Sequence, residues 1–586
     1  MNQSAKKLSV FAWAFLALLT VFFAVGFATL GSFRSTGKSF VCGKGATVQY
    51  ELEIPGDDKL DAVFVNAGLL RNESADITVK GSTSSSSSTA SWTTLGTVEL
   101  TDSAFNWVEI CSGLAKSGVK RVSLTANALI DINEIVCLGE SGETLLLSVS
   151  SKNPASLQEA YEAGIDAQNS FSGKTGAYNT FTQDESEILA NAKLLLEGRV
   201  VYENGAYEWN GGFNYLATLL YLPFVAIFGG SVFALRLPSL LAVCGALALV
   251  WLLVKEFTKD EKTAFFTALA VAVSGAFATL ARFGAGYAPV ICAVLASAYF
   301  AARFFSRGIS SARVLKGGCN VLFSGVFASI AFAMDSATVF PIAGILVLLG
   351  AGMYRQSLAY KRAREKLGEE QADEARALAN AYAYKNRVCY CFGALSLVAC
   401  SFILIIASAV LSYTAIVKVY GAETGFGEAI WLGVAQSFKG GIGEGASALS
   451  WLLPLGKYEL FDGAVRFNEV LAFACPLAFL GVTARIVYGL VKKETDKNAL
   501  RVRRSYFLWT GGLVSGLLFG LVKTQAVLPY AGLFFVSYLA FVPLLALAFE
   551  KSENKTVRVL SRVLLWAVLV GAVVAFGFAC PVVYGI

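Results

Sequence analysis

Two adjacent acids, Asp184 and Glu185, open the stretch "TFTQDESEILANAKLLLEG" at residues 180–198. The chain of 586 residues contains no histidine. A general base must therefore come from Asp, Glu, Lys, Tyr or Cys. Metal binding loses its commonest side chain as well. A divalent ion would need several carboxylates, and the acids of 184–187 are the cluster that could supply them. These residues assign no metal site and no certain cofactor, and dependence on a divalent metal stays open.

After the acids, Ile188, Leu189, Ala192, Leu195 and Leu196 fall on one helical face. Thr182 or Asp184 is placed to cap that helix, with the acids at its positive end. Further ionisable residues stand in or beside apolar runs: Arg236 in "FALRLPSLL", Arg282 in "LARFGAGYAP", Asp335 in "AFAMDSATVFP" and Lys523 in "LVKTQAVLPY". Ionisable groups at membrane depth are costly and tend to mark paths or sites. Arg236 and Lys523 read equally well as side chains reaching for lipid headgroups.

The elements that carry these residues follow from composition. The chain is 55% hydrophobic and 15% charged, against about 25% charged in soluble domains. That balance predicts a polytopic membrane protein. Apolar runs predict eleven transmembrane helices, at 8–33, 234–254, 263–281, 287–304, 317–334, 336–353, 388–417, 468–491, 506–522, 528–549 and 563–582. The first follows Lys6 and Lys7 and lacks a small-residue cleavage site, so it reads as a retained helix.

The apolar segment 211–230, with Pro223 inside, is ambiguous until charge is considered. If it lies at the surface, the basic loops 255–262, 303–316, 355–387, 492–504 and 551–562 share one side with the N-terminus. By the positive-inside rule that side is cytoplasmic. Residues 35–233 are then extracytoplasmic. The mixed-charge segment 354–387 reads as a cytoplasmic helix with a solvated face. Basic residues clustered this way orient a membrane protein; they do not indicate nucleic acid.

Residues 35–150 have a different texture. Seven β-type runs, among them "ATVQYELEIP", "ADITVKGS" and "IDINEIVCLG", are separated by Gly, Ser, Asn and Asp. They predict an inserted extracytoplasmic β-sandwich. The serine-rich stretch 81–91 reads as a polar loop. Cys42, Cys111 and Cys137 allow at most one disulfide among them, and no cysteine pair has zinc spacing. The organisation expected is a first transmembrane helix (1–34), the β-sandwich (35–150), outer-face juxtamembrane helices with the acid pair (151–233), a transmembrane core (234–417), an outer loop (418–467) and C-terminal transmembrane helices (468–586). The outer loop carries Trp431, Lys439 and Trp451 and is long for a simple connection, which suggests a cover over a site.

Outer-face acids together with outer-face cations suit a substrate whose phosphate sits at the membrane surface while its tail lies in lipid. A lipid-phosphate sugar fits. Cations hold the leaving phosphate, and a carboxylate deprotonates an acceptor hydroxyl. Phosphate departs without protonation, so one base suffices, unlike the carboxylate pair of a glycoside hydrolase.

"TQDESEILANAKLLLEGRVVYENGAYEW", the segment ending "FGGSVFALRLPS" and the "LAR" of 280–282 resemble the dolichyl-phosphate-mannose–protein mannosyltransferase-like family, over about residues 180–305. The resemblance implies a GT-C fold with Asp184 as catalytic base and Glu185 as the second acid. Arg236 and Arg282 match arginines of the family pattern. With Asp335, Lys523, Tyr207, Trp209 and Asn210 they make up the expected substrate-binding set. The implied activity is that of an inverting, mannosyltransferase-like hexosyltransferase. It would move a sugar from a polyprenyl-phosphate donor to a glycan or protein acceptor.

The chain departs from the family pattern in places. "NGGFNY" (210–215) stands where the family has His-Pro-Pro, no acid follows the "LAR" arginine, and Asp335 stands where relatives place a basic residue. A non-catalytic reading, a lipid-linked-glycan flippase or a silent glycan-binding scaffold, is the alternative. Residues 35–150 also resemble a discoidin or galactose-binding-like insertion through the "NEI…G" ending.

Overall fold

The structure is a computed structural model. It describes residues 9–36, 38–70, 74–84, 91–101, 105–171, 178–197, 214–282, 286–307, 314–366, 372–420, 451–453, 457–460, 463–522 and 528–584. The chain is a multi-pass helical membrane protein with a β unit inserted after its first helix.

Helix α1 (Val10–Ala28) is capped by Ser9 and leads directly into the β unit. Strands β1 (Phe40–Cys42), β2 (Thr47–Glu53), β3 (Leu60–Leu70), β4 (Ala75–Ser82), β5 (Thr93–Leu100), β6 (Trp107–Cys111), β7 (Arg121–Ala126), β8 (Ile130–Gly139) and β9 (Thr144–Val149) are joined in the order β5-β4-β7-β2-β9-β8-β3-β6, with β1 on β8. Every pairing is antiparallel. Strand β9 pairs with β8 through Thr144 and Leu145 and with β2 through Leu146–Val149. It thus joins two sheets whose apolar faces meet in one core. Val48, Tyr50, Ile77, Val79 and Leu124 come from one sheet and Val63, Val65, Ile132 and Cys137 from the other. The alternation of β2, buried at every second residue, is what the half-buried pattern requires.

Two strands, β1 and β9, go beyond the seven expected; they span three and six residues. Cys42, Cys111 and Cys137 are free thiols. Cys111 and Cys137 both face Val63, from opposite neighbouring strands, so a strand lies between them. That is about twice the ~4.8 Å strand spacing, too far for the Cα separation a disulfide needs.

After the short helix α2 (Gln158–Glu162) come α3 (Gln183–Glu197), α4 (Asn214–Phe228), α5 (Val232–Thr258), α6 (Glu261–Ala272), α7 (Ala276–Leu280), α8 (Tyr287–Arg307), α9 (Val314–Met334), α10 (Val339–Lys366) and α11 (Ala372–Tyr420). The hairpin β10 (Lys457–Leu460) and β11 (Gly463–Arg466) precedes α12 (Glu469–Val491), α13 (Lys497–Val522), α14 (Leu528–Leu539), α15 (Phe541–Phe549) and α16 (Lys555–Tyr584).

Among the described residues, seven helices are long and apolar enough to cross a membrane, namely α1, α5, α8, α12 and segments of α10, α11 and α16. Shorter apolar helices lie at Thr218–Phe228, Gly318–Met334 and Leu533–Phe549. Two crossings expected as single helices, 263–281 and 528–549, are each built from two consecutive helices. The first breaks at Gly275, whose φ of 74° suits a residue without a Cβ. Asn468 repairs the break. Its Nδ2 donates to Val273 O (2.9 Å) and Ala572 O (2.7 Å), and its own amide donates to Ser274 O (3.3 Å). A helix can be interrupted within a bundle when side chains re-satisfy the freed backbone groups in this way.

The segment 354–387, read as a cytoplasmic helix, is helical in its described parts and belongs to two helices. Alpha10 runs on to Lys366 and α11 starts at Ala372, so the charged segment extends two spans past their apolar parts. Mixed charge favours continued helix at both edges, and neither proline nor glycine occurs in 354–366 or 372–387.

Candidate active site

Helix α3 begins with a reciprocal cap. Glu185 N donates to Thr182 Oγ1 (3.3 Å), and Thr182 N donates to Glu185 Oε2 (2.9 Å). This is the Thr-x-x-Glu capping box, which satisfies two otherwise orphaned backbone donors. Thr182 is the cap, and Asp184 lies in the first helical turn.

Glu185 does more than cap. Arg236, near the start of α5, donates from Nε to Glu185 Oε1 (2.8 Å) and from Nη2 to Glu185 Oε2 (3.1 Å). The same guanidinium donates to Thr180 O (2.8 Å) and Leu30 O (3.4 Å). Both side chains are fully buried, at 0% exposure. Arg236 thereby ties three chain segments together: the exit of α1, the approach to α3 and the acid pair. A planar, bidentate guanidinium is the side chain that can satisfy a buried carboxylate and two carbonyls at once. The guanidinium of Arg236, expected to hold substrate, is engaged with the protein's own acid and carbonyls.

The apolar face of α3 packs as its spacing predicts. Ile188, Leu189 and Ala192 are buried in a cluster with Phe181, Tyr221, Val225, Val232, Leu235, Val290 and Met334. Leu196, expected on that face, is half exposed near the helix end. The cluster draws four other segments to α3. Tyr221, fully buried in α4, shares a hydrogen bond with Ser239 of α5 (Oη to Oγ, 2.7 Å) and accepts one from Gly286 N (3.2 Å). Glu185 and Tyr221 engage the same turn of α5, Glu185 through Arg236 and Tyr221 through Ser239. Sequence reading passed over Tyr221 and Ser239, since a Tyr in an apolar run carries no signal of its partner. The pair joins α4, α5 and the turn before α8 around the acid pair.

Arg282 lies in that same turn region, after α7, and is buried. Asp335 follows Met334 of the cluster and is buried too; its Oδ1 accepts from Ala337 N (2.9 Å) and its carbonyl from Thr338. The structure thus gathers Glu185 and Arg236 into direct contact and brings the Arg282 and Asp335 turns to the cluster around α3. Tyr207, Trp209, Asn210 and Lys523 lie outside the described residues. Trp451, expected in a cover, is fully buried against Phe534 and Phe535; residues 421–450 lie outside the described set. Among the described residues no three His, Cys, Asp or Glu side chains are grouped to hold a metal ion.

The β unit reaches the same helix. Asn106, in the loop before β6, donates from Nδ2 to Phe181 O (2.9 Å) and accepts at Oδ1 from Phe181 N (2.6 Å). Its neighbour Phe105 adopts φ of 61° and joins the cluster with Ile188 and Leu189. Asn66 Nδ2 donates to Phe105 O (3.0 Å), and Asn133 Nδ2 donates to Asn66 Oδ1 (2.8 Å), so the chain of bonds continues into β3 and β8. Lys193 of α3 sits over the Phe105 ring at 5.0 Å. A positive φ on a bulky residue is sparsely populated and costs about 1–3 kcal/mol. Here the surrounding bonds hold it.

Residues 214–364 match the family model described as dolichyl-phosphate-mannose-protein mannosyltransferase. No curated protein sequence matches the chain. Among solved structures, the S. cerevisiae protein O-mannosyltransferase Pmt1-Pmt2 complex bound to the sugar donor is similar at 9% identity and a TM-score of 0.54, over 69% of this chain and 86% of that one. The archaeal oligosaccharyltransferase AglB from Archaeoglobus fulgidus, in complex with an inhibitory peptide and a dolichol-phosphate, aligns at 14% identity and a TM-score of 0.37, over 68% of this chain and 52% of that one. The matched segment begins at α4 and ends in α10, outside the β unit. The chain is thus a multi-pass membrane protein of the GT-C fold, mannosyltransferase-like through residues 214–364 and carrying an inserted β unit.

Proposed function

We propose that this protein is an inverting glycosyltransferase, taking a sugar from a polyprenyl-phosphate donor at the extracytoplasmic face. The observation that carries the reading is the fixed head of α3, where Glu185 is locked by Thr182 and Arg236 with Asp184 beside it in the first turn. The family match and the sugar donor named for the S. cerevisiae structure support it. The positive end of the helix favours an ionised carboxylate there.

In this reading Asp184 takes the proton of an acceptor hydroxyl as that oxygen bonds to the sugar's anomeric carbon. The bond from that carbon to the phosphate oxygen breaks, and the electron pair leaves on the phosphate, with one inversion at carbon. Arg282 stabilises the departing phosphate, and Lys523 is a second cation for it. Tyr207, Trp209, Asn210 and Asp335 contact the sugar or acceptor. Glu185 and Arg236 act by holding the α3 turn in place. The acceptor is a hydroxyl of a glycan or a protein.

The test is transfer from a labelled polyprenyl-phosphate sugar by purified protein. Asp184→Asn should abolish acceptor-dependent release of polyprenyl phosphate while thermal unfolding stays unchanged. Full activity in that variant would remove Asp184 from the role.

A further inference from the structure

A second, unassigned feature runs along the bundle from Phe340, near the Asp335 turn, to Arg504 at the end away from α3. A cavity of about 800 Å³ opens between α10 and α13, backed by α5, α8 and α14. Its walls are apolar over most of their length, with Phe257, Phe305, Gly344, Val347 and Leu518 among the lining side chains. At one end the wall changes character. Arg504 of α13 lines the cavity there, beside Phe305. Arg355 of α10 donates from Nη1 to Phe305 O (3.2 Å) and lies over the Phe305 ring at 5.2 Å. Phe305 links the two arginines: Arg355 holds its carbonyl and ring, and Arg504 lines the same cavity wall.

Among the described residues, three acids at this end pair with other bases. Glu256 binds Lys259 and Arg307, Glu494 binds Arg485, and Glu550 is paired with Arg562. Two guanidiniums beside an apolar groove, with these three carboxylates committed to other bases, form a place for an anion attached to a hydrocarbon chain. A phosphate answers both guanidiniums through charge-assisted bonds.

We infer that Arg355 and Arg504 bind the phosphate of an anionic phospholipid whose acyl chain lies in the groove between α10 and α13. Dimensions favour this occupant over the polyprenyl donor. From Arg504 to Leu518 the groove runs about 21 Å at ~1.5 Å per residue, short of the ~30 Å hydrocarbon thickness. That length suits an acyl chain rooted in one leaflet. Arg236 stands near the start of α5, while Phe257, at the arginine end, stands near its finish. The two are about 30 Å apart by helix rise, so a phosphate held at Arg355 and Arg504 is remote from the acid pair.

Native mass spectrometry of the full-length protein, with phosphatidylglycerol and phosphatidylcholine of matched chains, tests this. Wild type should retain one phosphatidylglycerol in preference to phosphatidylcholine by about tenfold or more, the scale of a single charge-assisted contact. The double variant Arg355→Gln/Arg504→Gln should lose that preference while keeping its far-UV circular dichroism. Gly344→Leu, whose added Cβ would meet Ser515 at an ordinary contact distance of 3.9 Å, should lower retention of both lipids by filling the groove. As a measurement on unaltered protein, phosphatidylglycerol with a photoactivatable acyl chain should label peptides containing Val347 or Phe507. Equal retention of the two lipids by wild type, unchanged preference in the double variant, or labelling confined to other helices would overturn the site. So would a preference for polyprenyl phosphate over phosphatidylglycerol that vanishes in the double variant.

Discussion

Asn106 and Phe181 bond to each other twice. The Asn106 side chain bridges both the N–H and the C=O of Phe181, the residue just before the Thr182 cap. A β-unit loop therefore sets the entry angle of the helix that carries the acid pair. Replacing Asn106 with Ala removes both bonds and leaves a buried N–H and C=O unpaired, at about 1–3 kcal/mol each at most. Turnover should fall more than stability: thermal unfolding shifts by a few degrees, while transfer from a labelled donor drops by about tenfold through misplacement of the base. A variant with full kcat would detach the β unit from the site.

Arg236 and Glu185 form a buried pair, and removing one partner strands the other. Arg236→Met should destabilise the protein by about 3–5 kcal/mol, whereas the double change Glu185→Leu/Arg236→Met should recover much of that loss. Denaturation of the two variants, followed by a helix signal, distinguishes them. Equal destabilisation of single and double variants would mean that the pairing itself is not what stabilises the junction.

Asp184→Asn, the test of the proposed base, should leave donor binding within about twofold while kcat falls by at least about 100-fold, the usual worth of a general base. Donor affinity and single-turnover rate, measured on the same preparation, separate these. A variant that loses binding and keeps its rate would move Asp184 from base to ligand.

Glu134 in β8 gives the β unit a pH response. Burial pushes its carboxyl up to about 8, opposed by a hydrogen bond from Ala167 N and reinforced by the neighbouring Asp166. The folded state therefore keeps a proton that the unfolded state releases at ordinary glutamate pH. Between about pH 4.5 and 8 the folded form binds more protons, so stability falls as pH rises through that window and levels above it. Glu134→Gln should flatten the profile and raise the unfolding temperature most at pH 8 and above. An unchanged slope between pH 5 and 8 would assign the response to another group.

Much of this architecture is written locally. Hydropathy marks the runs that become helices, because a membrane span must satisfy its backbone within its own segment. The β unit is legible from alternation and turn residues, and the Thr182–Glu185 box lies within four consecutive positions. The absence of histidine alone directs attention to carboxylates.

What tertiary structure decided is which distant groups meet. Arg236 reads from sequence as a phosphate ligand or a snorkelling cation; only the fold places it on Glu185, Thr180 and Leu30. Asn106 sits among ordinary loop residues until Phe181 is brought against it. Tyr221 and Ser239, and Asn468 at the broken third crossing, likewise have partners that no local pattern announces. Hydrophobic periodicity reports which face is buried, since burial is nearly non-directional and depends on residue type. Hydrogen bonds and ion pairs are directional and short-ranged, so their partners are chosen only when the packed elements fix positions to within an ångström or so.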